Sequence, residues 1–233
     1  MTRNGMWLAP REGEWGDLVD FWQCMEWPEG SRVEIVEGIV TVTPTASVPH
    51  HLIAGEPHRA LHRATPDEWG IYQRLSIAVP SRWGMYLPDL LVLSKQRPLS
   101  GGYYVPAAHA ESAVEITSGP KAVHERVVKR DAYVTAGIPL YLLVDRFAPG
   151  GPTVTLFSEP RDGTYRVLAQ TAFGDAVELP APFELTVSTS DWPVPSVTPA
   201  TPPPPQAPAP TRSSTAGSTR APGARPPRSG SRT

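Results

Sequence analysis

The sequence has very little cysteine and no long apolar run, and both absences narrow the class of protein. Cys24 is the single cysteine among the 233 residues, so no internal disulfide can form. That usage suits a reducing compartment. The opening stretch MTRNGMWLAPREGEW has no apolar core of the kind found in secretory signal peptides, and no apolar stretch is long enough to span a bilayer. We therefore expect a cytoplasmic protein with no membrane partner.

Acidic residues are absent from the last part of the chain. From Trp192 onward there is no Asp or Glu, whereas five arginines occur there: Arg212, Arg220, Arg225, Arg228 and Arg232. Since the formal net charge of the whole chain is −2, residues 1–191 carry −7. An acidic body argues against a wide nucleic-acid-binding surface. It does not exclude a site whose carboxylates are neutralised by a metal ion.

The composition changes at the same point and predicts two regions. Residues 192–233 form a low-complexity Pro/Ala/Thr/Ser/Arg segment that includes TPPPPQAPAP. Such a segment cannot bury enough apolar surface to offset the entropy of ordering, so we expect a disordered tail with local polyproline II character. Two roles for the tail stay open: contact of its arginines with phosphate or lipid, and simple solubilisation. Residues 1–191 are long enough for one domain with a hydrophobic core.

The pattern of residues 1–191 predicts helices and strands in a mixed order. Apolar spacing predicts helices within EWGDLVDFWQCMEW, within PHHLIAGEPHRALHRAT with Leu52, Ile53 and Leu61 inward, and within AVHERVVKRDAYVTAG. Hairpins are predicted in SRVEIVEGIVTVTP and TVTLFSEPRDGTYRVLAQ. Single strands are predicted in WGIYQRLSIAVP, MYLPDLLVLS, ESAVEITS and IPLYLLVD. The fold class is therefore α/β, with α+β character: a central mixed β-sheet flanked by helices.

Two carboxylates stand at unusual places in the predicted strands. Asp89 begins an apolar strand directly after Pro88, and Glu115 lies between Val114 and Ile116 inside another. Carboxylates on neighbouring buried strands would repel each other and resist the loss of water. A divalent cation removes both costs, and Mg²⁺ or Mn²⁺ prefers oxygen ligands. The pattern therefore favours a site for Mg²⁺, with Mn²⁺ as the alternative, at Asp89 and Glu115.

A lysine is available on the helix that follows the Glu115 strand. If this helix packs on the sheet, Lys129 can be directed back at the two carboxylates. Its amine would then hold an attacking water or stabilise negative charge in a transition state.

Three stretches taken in order resemble a known family. LPDLLVL, VEITS and KRDAYVTAGIPLYLLVD are similar to the Uma-type putative restriction endonuclease family of the PD-(D/E)XK nuclease superfamily, and RVEIVEGIVTVTPTASVPHH resembles that family's opening hairpin. The resemblance covers about Trp15 to Leu168. It implies a restriction-endonuclease-like core and a Mg²⁺-dependent hydrolase that cuts DNA phosphodiester bonds. DNA is the implied partner, and a homodimer is an open option.

The resemblance also implies roles for particular residues. Asp89 and Glu115 would be the metal ligands, Lys129 the catalytic lysine moved from strand to helix, and Glu34 a further acidic member of the site. His50, with His51 as a one-residue alternative, and Tyr133 would be accessory residues. The chain departs from the superfamily pattern at Thr117, where the strand usually carries the lysine, and at Ser118-Gly119, where the family often has Ser-Pro.

Each of these residues also has a purely structural interpretation. Asp89 could cap backbone amides at the start of a strand, Glu115 could pair with Lys129 or an arginine, and Lys129 could be a solvated helix residue. The alternative is therefore that the protein is a catalytically inactive module with a nuclease fold and has a binding or regulatory role. A glycosidase using Asp89 and Glu115 as an acid–base pair would leave Lys129 unexplained. Asp145, at the end of a strand, is expected to be structural.

Overall fold

The elements follow the mixed order expected from the sequence, with more and shorter strands. The computed structural model describes residues 7–8, 15–96, 102–119 and 124–195. In these residues the elements are, in chain order, β1 (Trp7–Leu8), α1 (Trp15–Cys24), β2 (Arg32–Val36), β3 (Ile39–Thr43), α2 (Val48–Ala64), β4 (Trp69–Tyr72), β5 (Ser76–Val79), β6 (Gly84–Tyr86), β7 (Leu90–Ser94), β8 (Tyr104–Pro106), β9 (Ala110–Ile116), α3 (Arg130–Ala136), β10 (Leu140–Asp145), β11 (Thr153–Arg161), β12 (Thr164–Ala172), β13 (Ala176–Leu179) and β14 (Leu185–Ser188). A π-helical segment, His124–Lys129, runs directly into α3.

The strands of the described residues form two six-stranded sheets and one separate pair. Sheet A has the order β1-β3-β2-β6-β5-β8, sheet B has the order β12-β11-β10-β9-β7-β4, and β13 pairs with β14. In sheet B, β10 runs parallel to β9 while the other neighbours are antiparallel. The mixed α+β class is thus confirmed, and sheet B is the predicted central mixed sheet. Sheet A and the β13–β14 hairpin were not anticipated as separate units.

Two stretches that were each predicted as one strand form two strands in different sheets. WGIYQRLSIAVP divides into β4 in sheet B and β5 in sheet A, with Arg74 at a φ of 57° between them. MYLPDLLVLS divides in the opposite direction, into β6 in sheet A and β7 in sheet B. Pro88 contributes to this break because it has no backbone N–H for a ladder. Asp89 therefore lies where the chain passes from one sheet to the other.

Helices cover both faces of sheet B. Side chains alternate along each strand, so the sheet presents an apolar surface on each face, and one helix packs against each. Ile53 and Leu61 of α2 pack against a core that includes Val114 of β9. Ala132 and Tyr133 of α3 pack in a second core with alternate strand residues, including Leu91, Ala113 and Tyr141. The prediction for Leu52 was wrong: it is 61% exposed, one position off the buried stripe of α2.

The predicted domain boundary after Asp191 lies close to packed residues. Trp192, which the composition assigned to the tail, is 4% exposed, and its ring meets that of Phe173 edge-on with centroids 5.2 Å apart. Trp192 is therefore part of the core under α2. The tail prediction for residues 196–233 lies outside the described residues. None of the described helices combines the length and apolar character needed to cross a membrane.

Candidate active site

Glu115 lies in the interior of β9 and faces the α3 side of sheet B. Its neighbours Val114 and Ile116 face the α2 side, since side chains alternate along a strand. Burial raises the pKa of Glu115 to about 8; the positive charge of Lys129 opposes this shift and the negative charge of Asp89 adds to it. At neutral pH most of the Glu115 carboxyl group is therefore protonated.

The amine of Lys129 contacts both buried glutamates. Its Nζ lies 3.1 Å and 3.0 Å from Oε1 and Oε2 of Glu115, and 2.8 Å from Oε1 of Glu34. Lys129 is the last residue of the π-helical segment and is 3% exposed. The structure thus places the lysine from the helix against the strand carboxylate, and a solvated helix lysine is excluded.

Glu34 joins the site from the other sheet. It lies on β2 of sheet A, and its Oε1 accepts a hydrogen bond from the backbone N–H of Leu87 at 2.7 Å. Burial pushes the pKa of Glu34 upward, but the positive charges of Lys129 and Arg32 outweigh burial and lower the pKa below its ordinary value. Glu34 is therefore the ionised partner of Lys129 at neutral pH, whereas Glu115 holds the proton.

Asp89 is held in place by three donors. Its Oδ1 accepts from a guanidinium N–H of Arg32 at 2.6 Å and lies 3.0 Å from Nε2 of His50, and its Oδ2 accepts from the backbone N–H of Ile116 at 2.8 Å. Arg32 also donates to the carbonyl of Leu87. Burial pushes the pKa of Asp89 upward, but Arg32 and His50 outweigh it and hold the pKa well below its usual range. Asp89 is thus a fixed, ionised carboxylate.

Asp89 lies one residue before β7, at the end of the ladder that β7 forms with β9. The first pair of that ladder is Leu90 with Val114, and each of these residues is next in the chain to one of the two carboxylates. The backbone N–H of Asp89 donates to the carbonyl of Val114 at 3.0 Å. The negative charge of Asp89 adds to the raised pKa of Glu115.

The two accessory residues of the sequence prediction both contact the carboxylates. The hydroxyl of Tyr133 donates to Oε1 of Glu115 at 2.5 Å. Burial, together with the charge of Glu115, raises the pKa of Tyr133 well above its ordinary value, so it acts as a neutral donor. His50 is buried and bonded to Asp89, whereas His51 is exposed and meets the His50 ring edge-on.

The buried charges do not balance within the cluster. Three carboxylates, those of Glu34, Asp89 and Glu115, contact two basic side chains, those of Arg32 and Lys129. His50 is charged only if it is protonated. A proton on Glu115 removes the excess negative charge, and a bound cation would do the same.

The oxygen donors of the cluster are of the type that magnesium prefers. Within residues 7–8, 15–96, 102–119 and 124–195, no group of three or more His, Cys, Asp or Glu side chains is arranged to hold a metal ion. Mg²⁺, however, is usually bound through one or two carboxylates, with water and substrate phosphates in its other positions. The carboxylates of Asp89 and Glu115 are ligands of the type that this ion prefers.

Two clefts give access to the cluster. One, of about 310 Å³, is lined by Arg32, Glu34, Glu115 and Lys129, together with the chain from Thr43 to Ser47. A second, of about 300 Å³, is lined by residues that include Arg32, His50 and Asp89. Since Arg32 lines both, the clefts adjoin, and a ligand could approach the carboxylates from either side of this arginine.

Two members of this neighbourhood were missed by sequence reasoning. Arg32 lies two residues before Glu34 on β2, so strand alternation puts both side chains on one face, and that signal could have identified it. The second is Thr117, whose hydroxyl donates to Asp145 at 3.2 Å. No local signal reveals this contact, since the two residues are 28 positions apart. Asp145 was expected to be structural, and its contacts bear on the position of the helix.

Comparisons with known proteins identify a family and a shared fold. The family described as "Putative restriction endonuclease" (Uma2) matches residues 20–190. The crystal structure of a putative nuclease belonging to DUF820 from Anabaena variabilis has a TM-score of 0.57 and 18% identity, over 75% of this chain and 96% of that chain. At this identity the likeness shows a shared fold. No curated protein matches the chain.

Proposed function

The chain belongs to the Uma2 family of putative restriction endonucleases, and from this premise we propose that it is a metal-dependent endonuclease that hydrolyses DNA phosphodiester bonds. One observation carries the proposal: Asp89 and Glu115 lie next to the first pair of the same two-stranded ladder, and the amine of Lys129 lies within 3.1 Å of Glu115 at a cleft. Two carboxylates that can hold a metal ion, together with a lysine that can stabilise negative charge, supply the groups needed to hydrolyse a phosphodiester.

Asp89 and Glu115 would hold Mg²⁺ or Mn²⁺. When bound, the ion would lower the pKa of a water molecule and offset negative charge on the phosphate. Asp89 is already ionised, while Glu115 must release its proton before it can act as a ligand. Arg32 and His50 fix the carboxylate of Asp89, as outer-shell partners commonly do for metal-binding carboxylates.

Lys129 would act on the phosphate or on the attacking water. Its amine lies at the cleft, where a fixed positive charge stabilises negative charge that develops during the reaction. The carboxylate of Glu34 contacts the same amine at 2.8 Å. Tyr133 donates to Oε1 of Glu115 and so restricts the orientation of that carboxyl group.

Purified full-length protein incubated with supercoiled and linear DNA tests the proposal. We expect nicking and linearisation with Mg²⁺ or Mn²⁺, and none when EDTA removes the ion. Asp89→Asn and Glu115→Gln should abolish metal-dependent cleavage, and Lys129→Met should lower its rate by about 100-fold. Glu111→Gln is the matched control, because Glu111 lies on the same strand but outside the cluster. If the Asp89 and Glu115 variants cut DNA at the wild-type rate, the assignment of the site is wrong.

A second function is favoured by one feature of the cluster. Both oxygens of Glu115 are already contacted by Lys129, so the chain's own cation occupies the place of a metal ion. That arrangement suits a nuclease-fold module that binds DNA without cutting it. Calorimetry with Mg²⁺ distinguishes the two functions. A nuclease should bind Mg²⁺ as wild type and lose that binding in Glu115→Gln. For a module without a working site, Glu115→Gln should leave the calorimetric result unchanged.

Oligomeric state and location complete the proposal. Cutting both strands of a duplex is often done by two active sites, so we propose a homodimer on DNA, which sedimentation in the presence and absence of duplex would measure. A DNA substrate and a single cysteine are both consistent with a cytoplasmic protein.

A further inference from the structure

A second group of buried and half-buried polar side chains lies beside the cluster and takes no part in the proposed chemistry. We call Thr117, Arg126 and Asp145 the anchor group. Nε and Nη2 of Arg126 donate to Oδ2 and Oδ1 of Asp145 at 2.6 Å and 2.8 Å. Nη2 also donates to the carbonyl of Phe147 at 2.9 Å. The hydroxyl of Thr117 donates to Oδ1 of Asp145 at 3.2 Å. A bidentate fork of this kind fixes direction as well as distance.

The anchor group is built into the end of sheet B. Asp145 is the last residue of β10, and the backbone N–H of Thr117 donates to the carbonyl of Val144 at 2.9 Å. The Thr117 hydroxyl also accepts from the backbone N–H of Arg146 at 3.0 Å. Thr117 is fully buried and Asp145 is 5% exposed. Because each polar group is satisfied by several partners, Asp145 offers Arg126 a rigid point of attachment.

The anchor group and the catalytic cluster connect the same strand to the same helical segment. Thr117 follows Glu115 by two residues, so the two side chains share one face of the chain as it leaves β9. Arg126 precedes Lys129 by three residues within the π-helical segment. One connection is the contact of Glu115 with Lys129, and the other runs from Thr117 through Asp145 to Arg126.

The position of Lys129 depends on what holds this segment. π-Helical turns are rare and occur mostly as single turns, frequently at functional sites. Here the six residues His124–Lys129 are π-helical. Arg126 ties this segment to the sheet, and Tyr133 ties the following turn of α3 to Glu115. Lys129 therefore lies between two attachments to sheet B.

We propose that Arg126, held by Asp145 and Thr117, is a positioning residue that sets the amine of Lys129 against Glu34 and Glu115. The catalytic consequence rests on the proposed nuclease function. Thr117, at the position where the superfamily's strand usually carries the lysine, instead helps to hold the helix that supplies it. Arg126 lines neither of the two clefts described above, and its guanidinium is bonded to Asp145 and Phe147, so its loss is expected to displace Lys129 without removing a DNA contact.

The full-length protein with Arg126→Gln tests this role, and Arg130→Gln is the matched control. Arg130 carries the same charge on α3 but pairs with its neighbour Asp131, at 3.0 Å and with both side chains partly exposed. We expect Arg126→Gln to lower kcat for DNA cleavage by roughly 100-fold with KM unchanged, because a small displacement of a catalytic group costs about that factor. Arg126→Lys, which keeps the charge but not the fork, should recover part of kcat. Arg130→Gln should match wild type.

Thr117→Val is the milder variant, since it removes one hydroxyl and keeps the ion pair. Circular dichroism and thermal unfolding verify that each variant is folded. A fall in kcat in Thr117→Val that is smaller than the fall in Arg126→Gln, with KM unchanged in both variants, supports the proposal. Folded Arg126→Gln and Thr117→Val proteins that both cut DNA with wild-type kcat would overturn it.

Reactivity of the Lys129 amine separates this proposal from the nuclease function. A brief pulse of acetic anhydride, followed by peptide mass spectrometry, reports how well each lysine is protected. Lys129, 3% exposed, should be protected in wild type and in Arg130→Gln, and acetylated in Arg126→Gln, with exposed Lys95 as the internal reference. If wild type cuts no DNA but this pattern holds, the nuclease function fails and the positioning role stands. Equal protection in wild type and in folded Arg126→Gln overturns the positioning role.

Discussion

The amine of Lys129 contacts both carboxylate oxygens of Glu115, 14 positions earlier in the chain, at 3.1 Å and 3.0 Å. The contact joins the end of a π-helical segment to the penultimate residue of β9, a central strand. Glu34, from the other sheet, shares the same amine at 2.8 Å. Lys129 is therefore the residue that connects helix, sheet A and sheet B, and several of the following predictions depend on it.

Replacement of Lys129 by Met should destabilise the fold strongly. The variant leaves the ionised Glu34 buried without its nearest cation, and loss of one partner from a buried ion pair costs about 3–5 kcal/mol. Adding Glu34→Gln should restore part of the loss, because the double variant removes the unpaired charge. Urea unfolding at pH 7 measures both values. If the loss of unfolding free energy in the double variant equals the sum of the losses in the two single variants, Lys129 and Glu34 do not interact.

The stability of wild type should fall with pH between about 4.5 and about 8. Glu115 has a pKa of about 8 in the folded protein and 4.5 ordinarily, so over this range the folded state binds one proton more than the unfolded state. The contribution is complete below 4.5 and lost by 8, at no more than about 1.4 kcal/mol per pH unit. Unfolding in urea across this range, without divalent ions, should show a weaker fall in Glu115→Gln. Glu111→Gln should follow wild type.

Binding of Mg²⁺ should release a proton at pH 7. Glu115 is mostly protonated at this pH, and a carboxyl group must lose its proton to bind a metal ion. Calorimetry in buffers with different ionisation enthalpies should report a release approaching one proton at pH 7 that disappears above about pH 9. Glu115→Gln should show neither the binding heat nor the release. Binding without proton release at pH 7 would place the ion elsewhere.

Loss of the Tyr133 hydroxyl should affect catalysis more than folding. Tyr133→Phe removes one donor to Glu115 and keeps the ring contacts with Tyr86 and Tyr141, so we expect about 1 kcal/mol of destabilisation and about a 10-fold lower kcat. The matched control is Tyr165→Phe, whose hydroxyl donates to the carbonyl of Ile138 at 2.8 Å, away from the carboxylates. Similar kcat values for the two variants would contradict a role for Tyr133 in orienting Glu115.

Arg32→Met should raise the pKa of Asp89. Arg32 is the nearest cation that keeps this buried carboxylate ionised, so without it burial dominates and the shift changes direction. Carboxyl-carbon NMR titration measures the pKa, and urea unfolding at pH 7 should show a loss of about 3 kcal/mol. Arg74→Met, at an exposed arginine that lines the same cleft, serves as control. An unchanged Asp89 pKa in Arg32→Met would mean that His50, Lys129 and the backbone N–H of Ile116 hold the charge without Arg32.

Some parts of the site could be read from local pattern and others could not. Glu115 was recognisable because a carboxylate inside an apolar strand needs a partner. Lys129 and Tyr133 followed from their place on the next helix, together with the family resemblance. Arg32 was within reach through strand alternation with Glu34. The contact of Thr117 with Asp145 was not, because strand pairing alone brings these residues together.

The sequence by itself determined the helices, the two predicted hairpins and the buried faces of most elements, since periodicity is a local property of the chain. It also determined that carboxylates would be buried. Only the tertiary structure decided that β6 and β7 belong to different sheets, with Asp89 between them, and that Glu34 reaches Lys129 from sheet A. The physical reason is that strand pairing and ion pairing depend on non-local packing: which cation reaches which carboxylate is set by how the two sheets meet.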